Sequence, residues 1–305
     1  MAQIKSATTT NPMIIHDDSY NNWNLTVTKG RRFTNGLSQL QNHFGDKISI
    51  VAPRLATVDE LTMVHELNYV KEVTEDFVSD EWAGQDEELA LLAQTFAGGT
   101  LVALDTLLNG QTLTAIHLPG AKHHAQYDHS SGFCVFADFA IAAKVAAAKG
   151  LKVAILDVDA HHGDGTENLC SDDPSILTFS VHQLGIFPGT GAHEIPEKLI
   201  FNEGLAGGAG DAELLAAVER FNELAINFAP DLIFVAAGAD GHREDPLSRL
   251  NYEVEGMLAA MSKVRESFPS LPILMGGAGG YEPDNYTPQM WLSAATGLVS
   301  GSVVS

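Results

Sequence analysis

Apolar positions along this chain fall into two rhythms, and each predicts a different element. Short, almost continuously apolar runs bounded by turn residues fall at 13–16, 47–51, 113–116, 152–157, 176–181, 231–236 and 272–275, and these read as buried strands. Between them apolar residues recur at helical spacing over 35–43, 58–66, 68–75, 87–108, 136–149, 211–228 and 253–267. This alternation predicts an α/β fold with a mainly parallel central sheet flanked by helices on both faces. No internal repeat or low-complexity linker divides the pattern, so 1–305 is expected to form a single domain.

A parallel sheet also says where to look for chemistry, because ligands bind outside the carboxyl ends of its strands. The polar clusters of this chain fall at those ends. Asp157-Val158-Asp159-Ala160-His161-His162 follows one strand, Ala239-Asp240 a second and Gly276 to Tyr281 a third, while His123-His124 lies in the loop after a fourth.

The run 156–165 is the most informative. Alternation in an extended segment turns Asp157, Asp159 and His161 to one side, so a carboxylate and an imidazole two positions apart can hold one ion. Asp240 can supply a third ligand, and three protein ligands with one open position describe a catalytic zinc site rather than a closed structural one. His123 and His124, as neighbours, point in different directions; one can act as general base and the other can stabilise developing charge. Asp157 and Asp164 are candidates to orient these rings. Tyr281, after a glycine-rich turn, reads as a donor to an oxyanion. A phosphate-cradling reading of that turn is disfavoured, since Pro283 and Pro288 oppose the helix start it would need. Phe133 and Phe187, each beside glycine or proline, can wall a narrow slot.

Composition changes this picture only at its edges. With 305 residues and 45% hydrophobic content, the core needs no covalent staple. Two cysteines, Cys134 and Cys170, argue against a disulfide framework, and residues 1–12 carry no apolar run of the signal-peptide kind, so a cytoplasmic location is expected. Apolar runs such as 153–156 and 232–237 break well short of the ~20 residues a bilayer span needs, so no membrane segment is expected. A net charge of −22 disfavours direct nucleic-acid binding and favours cationic substrates.

Taken together, these residues resemble the histone deacetylase family, which includes acetylpolyamine amidohydrolases and acetoin-utilisation proteins, in a bacterial type closer to class II. The resemblance rests on Val64-His65, Lys122-His123-His124-Ala125, Ser131-Gly132-Phe133-Cys134, the run 157–165, Phe187-Pro188-Gly189-Thr190-Gly191, Gly238-Ala239-Asp240, Asp245-Pro246-Leu247 and Gly279-Gly280-Tyr281. It implies an arginase/deacetylase fold and a zinc-dependent deacetylase that hydrolyses the amide of an acyl-lysine or related acylated amine and releases acetate or a short carboxylate. Zinc would be held by Asp159, His161 and Asp240, a donor set also compatible with Fe(II).

By the same resemblance His124 is the general base and later acid, and His123 the supporting imidazole paired to Asp157. Tyr281 polarises the acyl carbonyl. Gly132, Phe133, Phe187, Leu247 and Gly279 line the substrate tunnel. A structural potassium ion falls at Asp157, Asp159, His161, Ser180 and the Val181 carbonyl, and a second near Cys170, Asp173 and Ile176. The acidic residue at the tunnel rim is Asp80 or a neighbour within 79–88. Leu247, where polyamine-selective members carry an acidic residue, tilts against strict polyamine specificity. The segment 17–33 lacks the His-Pro and Pro-rich signature of the family.

Two rivals stand beside this reading. A binuclear manganese ureohydrolase needs further bridging carboxylates, and Gly238-Ala239-Asp240-Gly241-His242 lacks the paired Asp-x-Asp. A catalytically silent binding protein needs a defect in a set that is complete. Acetylated protein lysine, acetylpolyamine and a small-molecule amide all remain compatible substrates, and the sequence does not set an oligomeric state.

Overall fold

The computed structural model describes residues 4–301. Its strands are β1 (Met13–Ile15), β2 (Ser49–Val51), β3 (Thr114–His117), β4 (Val153–Asp157), β5 (Ile176–Gln183), β6 (Ile200–Leu205), β7 (Leu232–Ala236) and β8 (Ile273–Gly276). They form one sheet in the order β2-β1-β3-β8-β7-β4-β5-β6. Every pairing is parallel, so the expectation of a mainly parallel sheet understated the case. The eighth strand, β6, was not expected: Ile200–Leu205 mixes Asn, Glu and Gly with its apolar residues, as suits an edge strand that borders solvent. In the middle, β4 (Val-Ala-Ile-Leu-Asp) and β7 (Leu-Ile-Phe-Val-Ala) are buried at every position, because helices cover both faces.

The helices are α1 (Arg31–Phe44), α2 (Val58–Leu61), α3 (Leu67–Thr74), α4 (Glu87–Leu108), α5 (Asp138–Ala148), α6 (Asp164–Cys170), α7 (Asp211–Phe228), α8 (Val254–Ser267) and α9 (Tyr286–Ser300). One group packs as α1 on α9, α9 on α8 and α8 on α7; the other joins α3 to α4, α4 to α5 and α5 to α6. The helix expected at 58–66 stops after a single capped turn, where Thr57 accepts from Glu60 N. Conversely, α9 forms although Pro288 had been read as a breaker: the proline is its third residue, where no intrahelical N–H bond is required.

Helix α4 is long and apolar enough by composition to cross a bilayer, which the short apolar runs did not foreshadow. Two-thirds of its most apolar window (67%) is buried, so it is a core helix, started by Asp86 accepting from Leu89 N at 3.0 Å. On the other side Trp291 of α9 is fully buried, stacks on Phe33 of α1 at 6.0 Å and donates from Nε1 to Gly277 O at 2.8 Å. Deleting a ring of that size from a core typically costs about 3–5 kcal/mol.

One feature of the register positions the chemistry. His117, Gly276, Ala236, Asp157 and Ser180 stand abreast across five neighbouring strands, each paired to the next. The loops that leave this row therefore open on one small area at a common edge of the sheet.

Candidate active site

The carboxylates of Asp159 and Asp240 and the ring of His161 converge just beyond the ends of β4 and β7. One ligand atom from each lies within 4.8 Å of the others, and all three residues are buried. His161 Nδ1 lies 2.8 Å from Asp240 Oδ2 and 3.2 Å from Asp159 Oδ1. The remaining carboxylate oxygens are held by backbone donors: Gly279 N–H to Asp159 Oδ2 at 2.6 Å and Ala160 N–H to Asp240 Oδ1 at 2.9 Å. Gly279 has to be glycine, since a Cβ there would stand 2.4 Å from Asp240 Oδ2.

Burial and the neighbouring Asp159 push Asp240 up to about 7, whereas Asp159, although buried, is held below the usual carboxylate range by His123 and His161. Burial opposes charge on His161 too, yet its bonds to Asp159 and Asp240 raise it to about 11. Two buried carboxylates sharing one imidazole are a strongly cation-seeking set, and Asp/His/Asp suits a zinc-type ion. Among the described residues no other group of three such donors gathers this closely.

His123 and His124 have ring centroids 4.0 Å apart but different partners. His123 Nδ1 donates to Asp157 Oδ2 at 2.7 Å, and His124 Nδ1 to Asp164 Oδ1 at 2.7 Å. Asp157 closes β4, whereas Asp164 opens α6, a short polar helix with no apolar stripe to announce it. Burial opposes charge on His123, but Asp157 and Asp159 outweigh it and raise the ring to about 9. For His124 burial dominates, the charge on His123 adds to it, and the ring falls to about 4 despite Asp164. His162, next to a ligand, points away to Thr190 Oγ1 and Glu167 Oε2.

These groups open on a pocket of about 380 Å³ lined by Glu81, His124, Gly132, Phe133, His161, Ile186, Phe187, Leu247 and Tyr281. Gly132 and Phe133 both adopt positive φ (55° and 64°), and a Cβ at Gly132 would meet His124 Cδ2 at 2.5 Å. That turn sets Phe133 against Tyr281, with ring centroids 6.1 Å apart, while Phe187 packs edge-on to His124 at 4.9 Å. Burial, then Asp240 and Asp159, raise the Tyr281 phenol well above its ordinary value, so it stays protonated. Glu81 is the acid that lines the pocket, next to the expected Asp80, and burial raises its carboxyl.

Most of the expected residues therefore meet in one place. Gly279 lies behind the pocket rather than in its wall, among the residues of a small inner cavity. Ser180 pairs with Asp157 across β4 and β5, with Val181 next to it. Cys170, Asp173 and Ile176 form the turn into β5, where Asp173 N bonds Cys170 O and Ile176 N bonds Asp173 O. Sequence reasoning missed several supports. Gln126 donates to Asp164 Oδ2 at 2.9 Å, and Asn168 holds Gln126 in turn. Asp245 accepts from Tyr281 N at 3.4 Å and from Tyr286 Oη at 2.5 Å. Buried Arg32 donates to Gly280 O at 2.7 Å, and no local pattern in its helix signals that distant partner. A larger cavity, about 730 Å³, lies at the opposite ends of the strands, between Ile4, Leu113, Lys152 and Pro272, far from these groups.

Residues 23–298 match the histone deacetylase domain. The chain is 32% identical over 281 residues to an acetoin utilization protein AcuC of Staphylococcus aureus, covering 84% of this chain and 72% of the relative. It is 34% identical over 291 residues to the protein of that name from Bacillus subtilis, covering 82% and 71%. It is 30% identical over 277 residues to histone deacetylase 8 of Xenopus laevis, covering 84% of each chain. Among solved structures, the HD domain of HDA15 superimposes with a TM-score of 0.84 at 24% identity, over 98% of this chain and 91% of that one, a likeness of fold.

Proposed function

The chain belongs to the histone deacetylase family, and from that premise we propose that it is a zinc-dependent deacylase acting on an acyl-lysine or related acylated amine. The observation that carries this reading is the convergence of Asp159, His161 and Asp240 beside a pocket that His124 and Tyr281 also line. A zinc ion held by those three residues supplies a Lewis acid that brings the pKa of water to about 7.

The chain's own residues account for the rest. His124, neutral at pH 7, accepts the proton of the attacking water, and Asp164 keeps its ring oriented. The protonated Tyr281 hydroxyl lines the pocket where negative charge builds on the acyl oxygen, and His123, held by Asp157, supports it from beside His124. His124 then returns its proton to the departing amine. The apolar walls at Phe133 and Phe187 suit an aliphatic stem, and Glu81 suits a polar or cationic group near the amine side. A structural potassium ion is proposed at Asp157, Asp159, His161, Ser180 and Val181.

The test is hydrolysis of a fluorogenic acetyl-lysine peptide with zinc and after chelation. Chelation abolishes turnover and zinc restores it, and Tyr281→Phe lowers kcat by about a hundredfold or more. Two tightly bound transition ions per chain by elemental analysis would instead favour the binuclear ureohydrolase reading, while zinc-independent turnover would overturn the proposal.

A further inference from the structure

Behind the pocket lies a small cavity of about 20 Å³, and Gly132, Phe133 and Tyr281 line both spaces. The inner one is walled further by Thr28, Arg32 and Lys122, which are 1%, 2% and 5% exposed. Three of their polar groups lack protein partners. Thr28 Oγ1 and Arg32 Nε are buried without a hydrogen bond, and the Lys122 ammonium has no hydrogen bond or ion pair among the described residues. Lys122 rests instead against the rings of Trp23 (5.4 Å) and Phe96 (5.3 Å). The nearby Asp138 carboxylate is taken by Thr100 and by the Ala121 and Lys122 backbone N–H groups.

Lys122, with no hydrogen bond or ion pair, Arg32, whose Nε is unused although its Nη1 bonds Gly280 O, and the unpaired Thr28 hydroxyl gather at one cavity, and such a set calls for an anion. A buried charge left unpaired costs several kcal/mol, and a water molecule would satisfy donors without compensating the charge. Resting on the deacylase reading, we propose that this cavity receives the far carboxylate of a short dicarboxylic acyl group, so that the chain prefers malonyl- or succinyl-type amides. The cavity, on the scale of one small polar group, is too tight for a long apolar tail. The reaction balances as a hydrolysis: the amide C–N bond breaks, water's hydroxyl joins the acyl carbon, its proton reaches the amine through His124, and a dicarboxylate and free amine leave.

The experiment uses the zinc-loaded full chain with one lysine peptide carrying acetyl, butyryl, malonyl or succinyl groups, and titrates malonate, butyrate and acetate by calorimetry. The malonyl or succinyl peptide should exceed the butyryl peptide at least tenfold in kcat/KM, and malonate should bind at least tenfold more tightly than butyrate. Lys122→Met, an uncharged chain of similar length, should cut both ratios at least tenfold, and Lys122→Gln provides a second variant if the first folds poorly. A butyryl preference, ratios unmoved by either variant, or acetate binding as tightly as malonate would overturn the inference while leaving the deacylase reading intact. A chain inert toward all four peptides overturns that reading, and the malonate titration then decides this one by itself.

Discussion

His123 and His124 are consecutive residues with nearly touching rings, yet the two sides of the site that hold them do opposite things. His123 looks toward the strand end, where Asp157 and Asp159 sustain a positive charge. His124 looks toward the start of α6, where burial and its charged neighbour keep it neutral although it has a carboxylate of its own. An aspartate beside each ring is therefore not what separates them. The number of carboxylates that reach each ring, and the charge already placed on its neighbour, decide the outcome.

Removing the neutral member gives the largest expected effect. His124→Ala should lower kcat on an acetyl-lysine peptide by about 10²–10⁴-fold, with His123→Ala at least tenfold milder; equal losses in steady-state kinetics would erase the distinction. Histidines away from the reaction sharpen it next. Burial holds His65 down to about 4 and His117 down to about 3, against an ordinary value near 6.5. Between about pH 6.5 and 4 the unfolded chain takes up protons that these folded rings refuse. The stability they contribute is thus complete above about 6.5 and lost as pH falls through that window, by up to about 3 kcal/mol for His65. Denaturant melts at pH 7 and pH 5 would register it, and Phe at position 65 should flatten the dependence.

Paired aspartate substitutions make the comparison directional. Asp157→Asn removes the main support for charge on His123, relieves His124 and moves the acid limb of the kcat/KM profile to higher pH. Asp164→Asn removes a group that raises His124 and moves the limb to lower pH. Each should cost about 10–100-fold in rate, and limbs that shift in the same direction would break the scheme. The smallest effect belongs to Gln126→Leu, which removes one support of Asp164 and should cost a few-fold in kcat, about 1 kcal/mol or less, with KM unmoved.

What the sequence made legible was whatever rests on short-range pattern. The bounds of α4 and α7 follow from periodicity and caps, and the metal-type triad follows from clusters placed after apolar runs. What escaped depends on partners far along the chain or on solvent-facing context. Ile200–Leu205 alternates too weakly to read as a strand until β5 is beside it. Asp164–Cys170 is too short and polar to carry a helical stripe. Within the expected stretch 79–88 the residue that lines the pocket is Glu81, a choice set by how one loop turns, which composition does not encode. Lys122 sits in a recognisable motif, yet only the packing of Trp23, Phe96 and Arg32 reveals that its charge is enclosed.

The bond from Arg32 to the Gly280 carbonyl joins positions 248 residues apart. During synthesis, the helix that carries this guanidinium leaves the ribosome long before the loop it anchors, along with Tyr281. Until then the guanidinium has no mate, so a nascent chain stalled before β8 would hold all three metal-type ligands and still lack a finished catalytic wall. The contact is thus strongly non-local, and the wall that carries Tyr281 gains this support only once both the helix and the loop have emerged.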